Sequence, residues 1–142
     1  MLRKNDAYLG HLASVPLFSA CSKRQLALVA RRAEHTAFGV GTVLIKEGTP
    51  GHEFFVILDG TAVVARGNRK VATLKAGDYF GELALLDRSP RNATVTATSP
   101  IEVVILGQRE FSGLIDEVPG LAHKLLAGMA RRLRDADAKK VH

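Results

Sequence analysis

At 142 residues, with 46 % hydrophobic and 24 % charged residues, the chain has the size of one domain and an ordinary globular composition, which excludes a disordered protein. No run approaches the roughly 20 apolar residues of a membrane-spanning helix, so no membrane association is expected. The net charge of +6 invites a nucleic-acid partner. Acids stand among the basic residues of the last cluster, however, and no aromatics are interleaved with them, so the charge reads as solvated helix faces plus an anion-binding pocket.

In chain order, residues 1–6 break into charge at once, without a signal-peptide stretch behind them. The single Cys21 excludes an intramolecular disulfide and a cysteine-based zinc site, and a cytoplasmic location is expected. The apolar segment 12–18, interrupted by Pro16, reads as a short helix and turn over an edge of the core. Ser22 then opens a helix, with Gln25 placed to complete a capping box. Leu26, Val29, Ala30 and Ala33 fall on one face of it.

From about Thr36 the pattern changes to short β-type runs at 42–45, 54–58, 61–65, 71–74, 94–97 and 103–106, punctuated by glycines. Many short strands imply a sandwich or barrel. Gly41, Gly48, Gly51, Gly60, Gly67 and Gly77 occupy the breaks, and each reads as a turn former. The last third returns to helix. Phe111, Leu114 and Ile115 form a short face that stops near Pro119, and Leu121, Leu125, Met129 and Leu133 then repeat every four residues.

One segment carries chemistry. Residues 77–86 read as a turn followed by one or two helical turns, and a helix N-terminus offers unpaired N–H groups to a phosphate. Gly81 lets the backbone approach closely. Glu82 would repel a phosphate if it faced one, but accepts hydrogen bonds from a ribose hydroxyl. Arg91, beyond the Pro90 turn, returns a planar fork of donors to phosphate oxygens. In isolation Arg91 would be a surface charge and Glu82 a helix N-terminal acid; Leu83, Leu85 and Leu86 read as core or pocket wall.

Gly81-Glu82-Leu83-Ala84 followed by Pro90-Arg91-Asn92-Ala93-Thr94, together with the upstream stretch 48–60, resembles the phosphate-binding cassette and second signature of the cyclic nucleotide-binding domain family. That family includes protein kinase A regulatory subunits, nucleotide-gated channels and catabolite activator-type regulators. The resemblance covers about residues 17–136. It implies Glu82 on the ribose 2′-hydroxyl and Arg91 on the exocyclic phosphate oxygens, with the amides of Leu83, Ala84 and Ala93 completing the anion site alongside Gly81 and Thr94. At Asn92, relatives that favour cGMP often carry threonine, so the resemblance leans to cAMP and leaves cGMP open. Met129-Ala130-Arg131-Arg132-Leu133 resembles the dimer helix of catabolite activator-type regulators. This implies an ion pair between Arg132 and Glu82, a base contact at Asp137, and a homodimer through the C-terminal helix as an open alternative to packing on the domain. Ala136 and Asp137 stand where relatives place hydroxyl residues.

No His-x-His pair of a metal-binding barrel and no nucleophile elbow occurs, so neither a metal, a cofactor nor an intrinsic enzyme activity is expected. The expected fold is mainly β with flanking α: an eight-stranded β-roll (jelly-roll) barrel with N-terminal and C-terminal helices. Residues 1–142 form a single domain, comprising a helical part at 1–35, the β-roll at 36–108 with its cassette at 80–94, and C-terminal helices at 109–142. The expected role is a regulatory sensor that switches its last helix and acts on an effector protein. No DNA-binding motif follows that helix, which leaves two alternatives: the sensory part of a longer helix-turn-helix regulator, or an interaction domain that has lost its ligand.

Overall fold

Two strands rich in β-branched and aromatic residues, β3 (Glu53–Asp59) and β8 (Ile101–Gly107), pair antiparallel and are buried on both faces. Period-2 alternation divides their side chains between two cores. Phe54, Val56 and Leu58 of β3 join Val104 and Leu106 of β8 on the side that the helices cover. Phe55 and Ile57 join Ile101, Val103 and Ile105 on the opposite side, where a second sheet covers them. Burial on both faces is why 54–58 reads as an unbroken apolar run.

The computed structural model describes residues 4–82 and 89–140, with side chains over 7–82 and 89–135. The remaining elements are α1 (Lys4–Ala13), a 3₁₀ turn (Pro16–Phe18), α2 (Lys23–Arg32), β1 (Glu34–Phe38), β2 (Val43–Ile45), β4 (Ala62–Arg66), β5 (Arg69–Leu74), β6 (Tyr79–Phe80), β7 (Thr94–Ala97), α3 (Gln108–Glu117) and α4 (Pro119–Lys140). The eight strands form two four-stranded antiparallel sheets, ordered β1-β8-β3-β6 and β2-β7-β4-β5. This corrects the expectation of a barrel: among the described residues no ladder joins the sheets. β5, at the outer edge of its sheet among the described strands, is almost wholly exposed and opens on Arg69 and Lys70, as suits an edge strand.

The capping box forms as read: Gln25 N donates to Ser22 Oγ at 3.1 Å and Ser22 N to Gln25 Oε1 at 2.9 Å. Leu26 and Val29 bury beneath it. Ala33 is not a helical face residue, since its backbone is already extended and leads into β1. The apolar stripe of the last helix is buried in its first half only. Leu121 and Leu125 enter the core and Met129 packs partly against it, whereas Leu133 is 65 % exposed. Among the described residues no helix is long and apolar enough to cross a membrane.

Candidate functional site

Three chain segments distant in sequence meet at Arg91. Its backbone is pinned to the loop before β3: Arg91 N donates to Thr49 O at 2.9 Å, and Gly48 N donates to Arg91 O at 2.8 Å. Thr94 Oγ1 accepts from Glu47 N at 3.0 Å on the same seam. The side chain turns inward to 8 % exposure. There Nη2 donates to Glu53 O at 2.9 Å and Nη1 more weakly to Gly81 O at 3.4 Å.

Two glycines make this placement possible, for different reasons. Gly81 has φ +84°, and a Cβ there would meet Glu53 O at 2.7 Å. Gly51 is not a positive-φ turn residue, contrary to the sequence reading; a Cβ there would stand 2.2 Å from Arg91 Nε and 2.6 Å from Cζ. The Gly51 backbone is thus the wall against which the guanidinium lies.

Burial lowers the pKa of Arg91, an effect that the nearby Glu53 and Glu82 carboxylates partly offset. Among the described residues no carboxylate makes an ion pair with Arg91. Its side-chain acceptors among the described residues are two backbone carbonyls. A guanidinium largely removed from water, bonded to carbonyls and ion-paired to no carboxylate among the described residues, is electrostatically under-compensated and suited to an anionic ligand.

Glu82, at 9 % exposure, follows Gly81 at the end of the described segment. Arg132, projecting from α4, reaches it: Nη1 lies 2.5 Å from Glu82 Oε1, and Nη2 donates to Tyr79 O at 2.6 Å. The Arg132 guanidinium carbon also sits 4.3 Å from the centre of the Tyr79 ring, a cation–π contact.

Gly81, Glu82, Arg91 and Arg132 are therefore brought together. Ala93 is buried beside them, Asn92 is exposed, and Thr94 is part-buried with its hydroxyl committed to the backbone. Leu83 and Ala84 lie outside the described residues, as does the side chain of Asp137 on α4. Sequence reasoning missed Gly51, the Glu53 carbonyl and Tyr79. The signal for Gly51 was its place in the stretch 48–60, and the signal for Tyr79 was its position two residues before Gly81. Among the described residues no group of three or more histidine, cysteine or acidic side chains is arranged to hold a metal ion.

The sequence model of the cyclic nucleotide-binding domain matches residues 36–118. A cAMP-dependent protein kinase regulatory subunit from Hypocrea atroviridis is 38 % identical over 117 residues, which span 82 % of this chain and 25 % of that subunit. The chain thus corresponds to about a quarter of that curated relative's length. Among solved structures, the Thermus thermophilus catabolite activator protein superposes with a TM-score of 0.81 at 29 % identity, covering 87 % of this chain and 61 % of that one. The cAMP-bound PfPKA-R superposes with a TM-score of 0.79 at 31 % identity, covering 94 % of this chain and 48 % of that one.

Proposed function

The chain belongs to the cyclic nucleotide-binding domain family, and from that premise we propose that it is a regulatory module that binds a cyclic nucleotide, cAMP foremost. The observation that carries this reading is the buried Arg91 guanidinium, held by the Glu53 and Gly81 carbonyls with no ion pair among the described residues. A cyclic phosphate is a compact monoanion with two exocyclic oxygens, matching the two-pronged face of a guanidinium. In this assignment Arg91 takes those oxygens, the amides of Leu83, Ala84 and Ala93 complete the anion site, and Glu82 accepts from the ribose 2′-hydroxyl.

The preference for cAMP draws support from the similarity to cAMP-dependent regulatory subunits and to a cAMP-bound structure, and from the lack of a threonine at position 92. Asp137 is the residue placed by sequence to accept a bond from the exocyclic amino group of the base. Binding favours the state in which α4 closes over the nucleotide, because a ligand shifts an equilibrium only by its differential affinity for the two states. The hinge lies near Phe111 and Ile115, with Leu83 and Leu86 relaying the movement to an effector protein. Leu126 and Leu133, 62 % and 65 % exposed and seven residues apart on α4, are the residues through which a second copy would pack.

Isothermal titration with cAMP and cGMP in parallel tests this reading, with Arg91→Ala and Arg91→Lys as controls. Micromolar or tighter binding is expected, stronger for cAMP. Loss of a charge-assisted bond of about 1.5–3 kcal/mol weakens it tenfold to several hundredfold in Arg91→Ala. Absence of heat with both nucleotides, from a chain whose thermal unfolding is cooperative, overturns the reading in favour of an interaction domain.

A further inference from the structure

Gly128 lies inside α4, where alanine would favour the helix more strongly. What the glycine provides is room, since a Cβ at this position would stand 2.1 Å from the Tyr79 hydroxyl oxygen. Four residues further on, on the same helix face, Arg132 covers the Tyr79 ring at 4.3 Å and bonds its carbonyl at 2.6 Å. One helix therefore holds Tyr79 by its hydroxyl end and by its ring face, and the second of those residues is the one on Glu82. Among the described residues the buried Tyr79 hydroxyl has no hydrogen-bond partner, which marks the contact as one of shape rather than polarity.

We propose that Tyr79 is a positioning residue for Glu82. Its size-matched contact with Gly128 fixes the seat of α4, and so sets Arg132 on the Glu82 carboxylate. This holds one carboxylate oxygen and orients the other for the ligand. The inference rests on the assignment of Glu82 to the ribose hydroxyl.

The test is a double-mutant cycle of Gly128→Ala and Tyr79→Phe, read by hydrogen exchange of the α4 amides and by titration with cAMP. With Tyr79 present, the new methyl meets the hydroxyl oxygen. With that oxygen removed, the nearest ring atom is Cζ at 3.3 Å, a tight contact that small shifts accommodate. Gly128→Ala alone is expected to speed α4 exchange about tenfold and to weaken cAMP binding by a similar factor. Adding Tyr79→Phe returns both to within about threefold of the wild type. Helix propensity by itself predicts the reverse, a slowing of exchange by about fivefold regardless of residue 79. Slower exchange in Gly128→Ala, failure of phenylalanine to rescue it, or disturbed exchange with unchanged or tighter cAMP binding would each overturn the proposal. If the wild type takes up no cAMP, the ligand reading fails, while rescue of exchange still judges the Tyr79–Gly128 contact separately.

Discussion

Arg91 lies flat against Gly51, so close that a single methyl group on the glycine would fall 2.2 Å from Nε. The backbone at Gly51 is not in the left-handed region, so alanine strains nothing there except through this contact. Gly51→Ala should therefore expel the guanidinium from its cradle while leaving the sheets intact. We expect cAMP affinity to fall by about tenfold or more, with a thermal midpoint within a few degrees of the wild type. Unchanged affinity would show that Arg91 does not need this wall.

Arg132 and Glu82 form an ion pair whose two ends differ in exposure: the Arg132 side chain is 43 % accessible and that of Glu82 is 11 % accessible. Screening reaches only the outer partner, so the pair stands between a surface bridge and a buried one. A cycle of Arg132→Ala and Glu82→Gln, read by denaturant unfolding without ligand, should give a coupling of about 1 kcal/mol that shrinks with added salt. A coupling indistinguishable from zero would mean that the geometry carries no net attraction.

The strands legible in the sequence were those with their own hydrophobic signature. Phe54 to Leu58 announces itself because both of its faces are buried. In contrast, β1 reads Glu-His-Thr-Ala-Phe, an edge strand with little apolar content whose partner is β8, and β6 is two residues long. Both owe their conformation to partners distant in the chain, a dependence that local periodicity cannot register. The site divides in the same way. Glu82 and Arg91 stand in one continuous motif, but the Glu53 carbonyl, 38 residues upstream of Arg91, and the Gly51 wall come from the start of β3 and the loop before it, and residue type says nothing about which backbone oxygen a guanidinium will find. Gly128 did carry a local clue, a glycine in a helical run without a turn around it, and the clue meant close approach.

Ser22 and Gln25 exchange two hydrogen bonds at the start of α2, and each satisfies a backbone donor that the helix cannot. Ser22→Ala should lower the unfolding free energy by about 1 kcal/mol, and Ser22→Asp should recover most of it. Nucleotide affinity should not change, because α2 packs chiefly on α1, α3 and β1, whereas Arg91 is held by the loop before β3 and by Gly81. A loss of affinity in the alanine variant would couple the N-terminal helices to the site.

The chain contains two tyrosines and no tryptophan, so its phenol titration can be assigned residue by residue. Burial raises the pKa of both. For Tyr8 the Glu102 carboxylate adds to the effect. For Tyr79 the Arg132 guanidinium opposes it, and the Glu82 carboxylate reinforces it. A phenol whose folded pKa exceeds its unfolded value, about 10, keeps its proton in the native state after the unfolded chain has lost it. The associated stability is therefore intact below that value and is lost as pH rises through the raised folded pKa. Near-ultraviolet tyrosinate absorbance should rise at higher pH in the native chain than in the denaturant-unfolded one, and Tyr79→Phe should remove one of the two late steps. Coincident native and unfolded titrations would show that Tyr79 is open to water, and would remove the enclosed contact with α4 on which its positioning role depends.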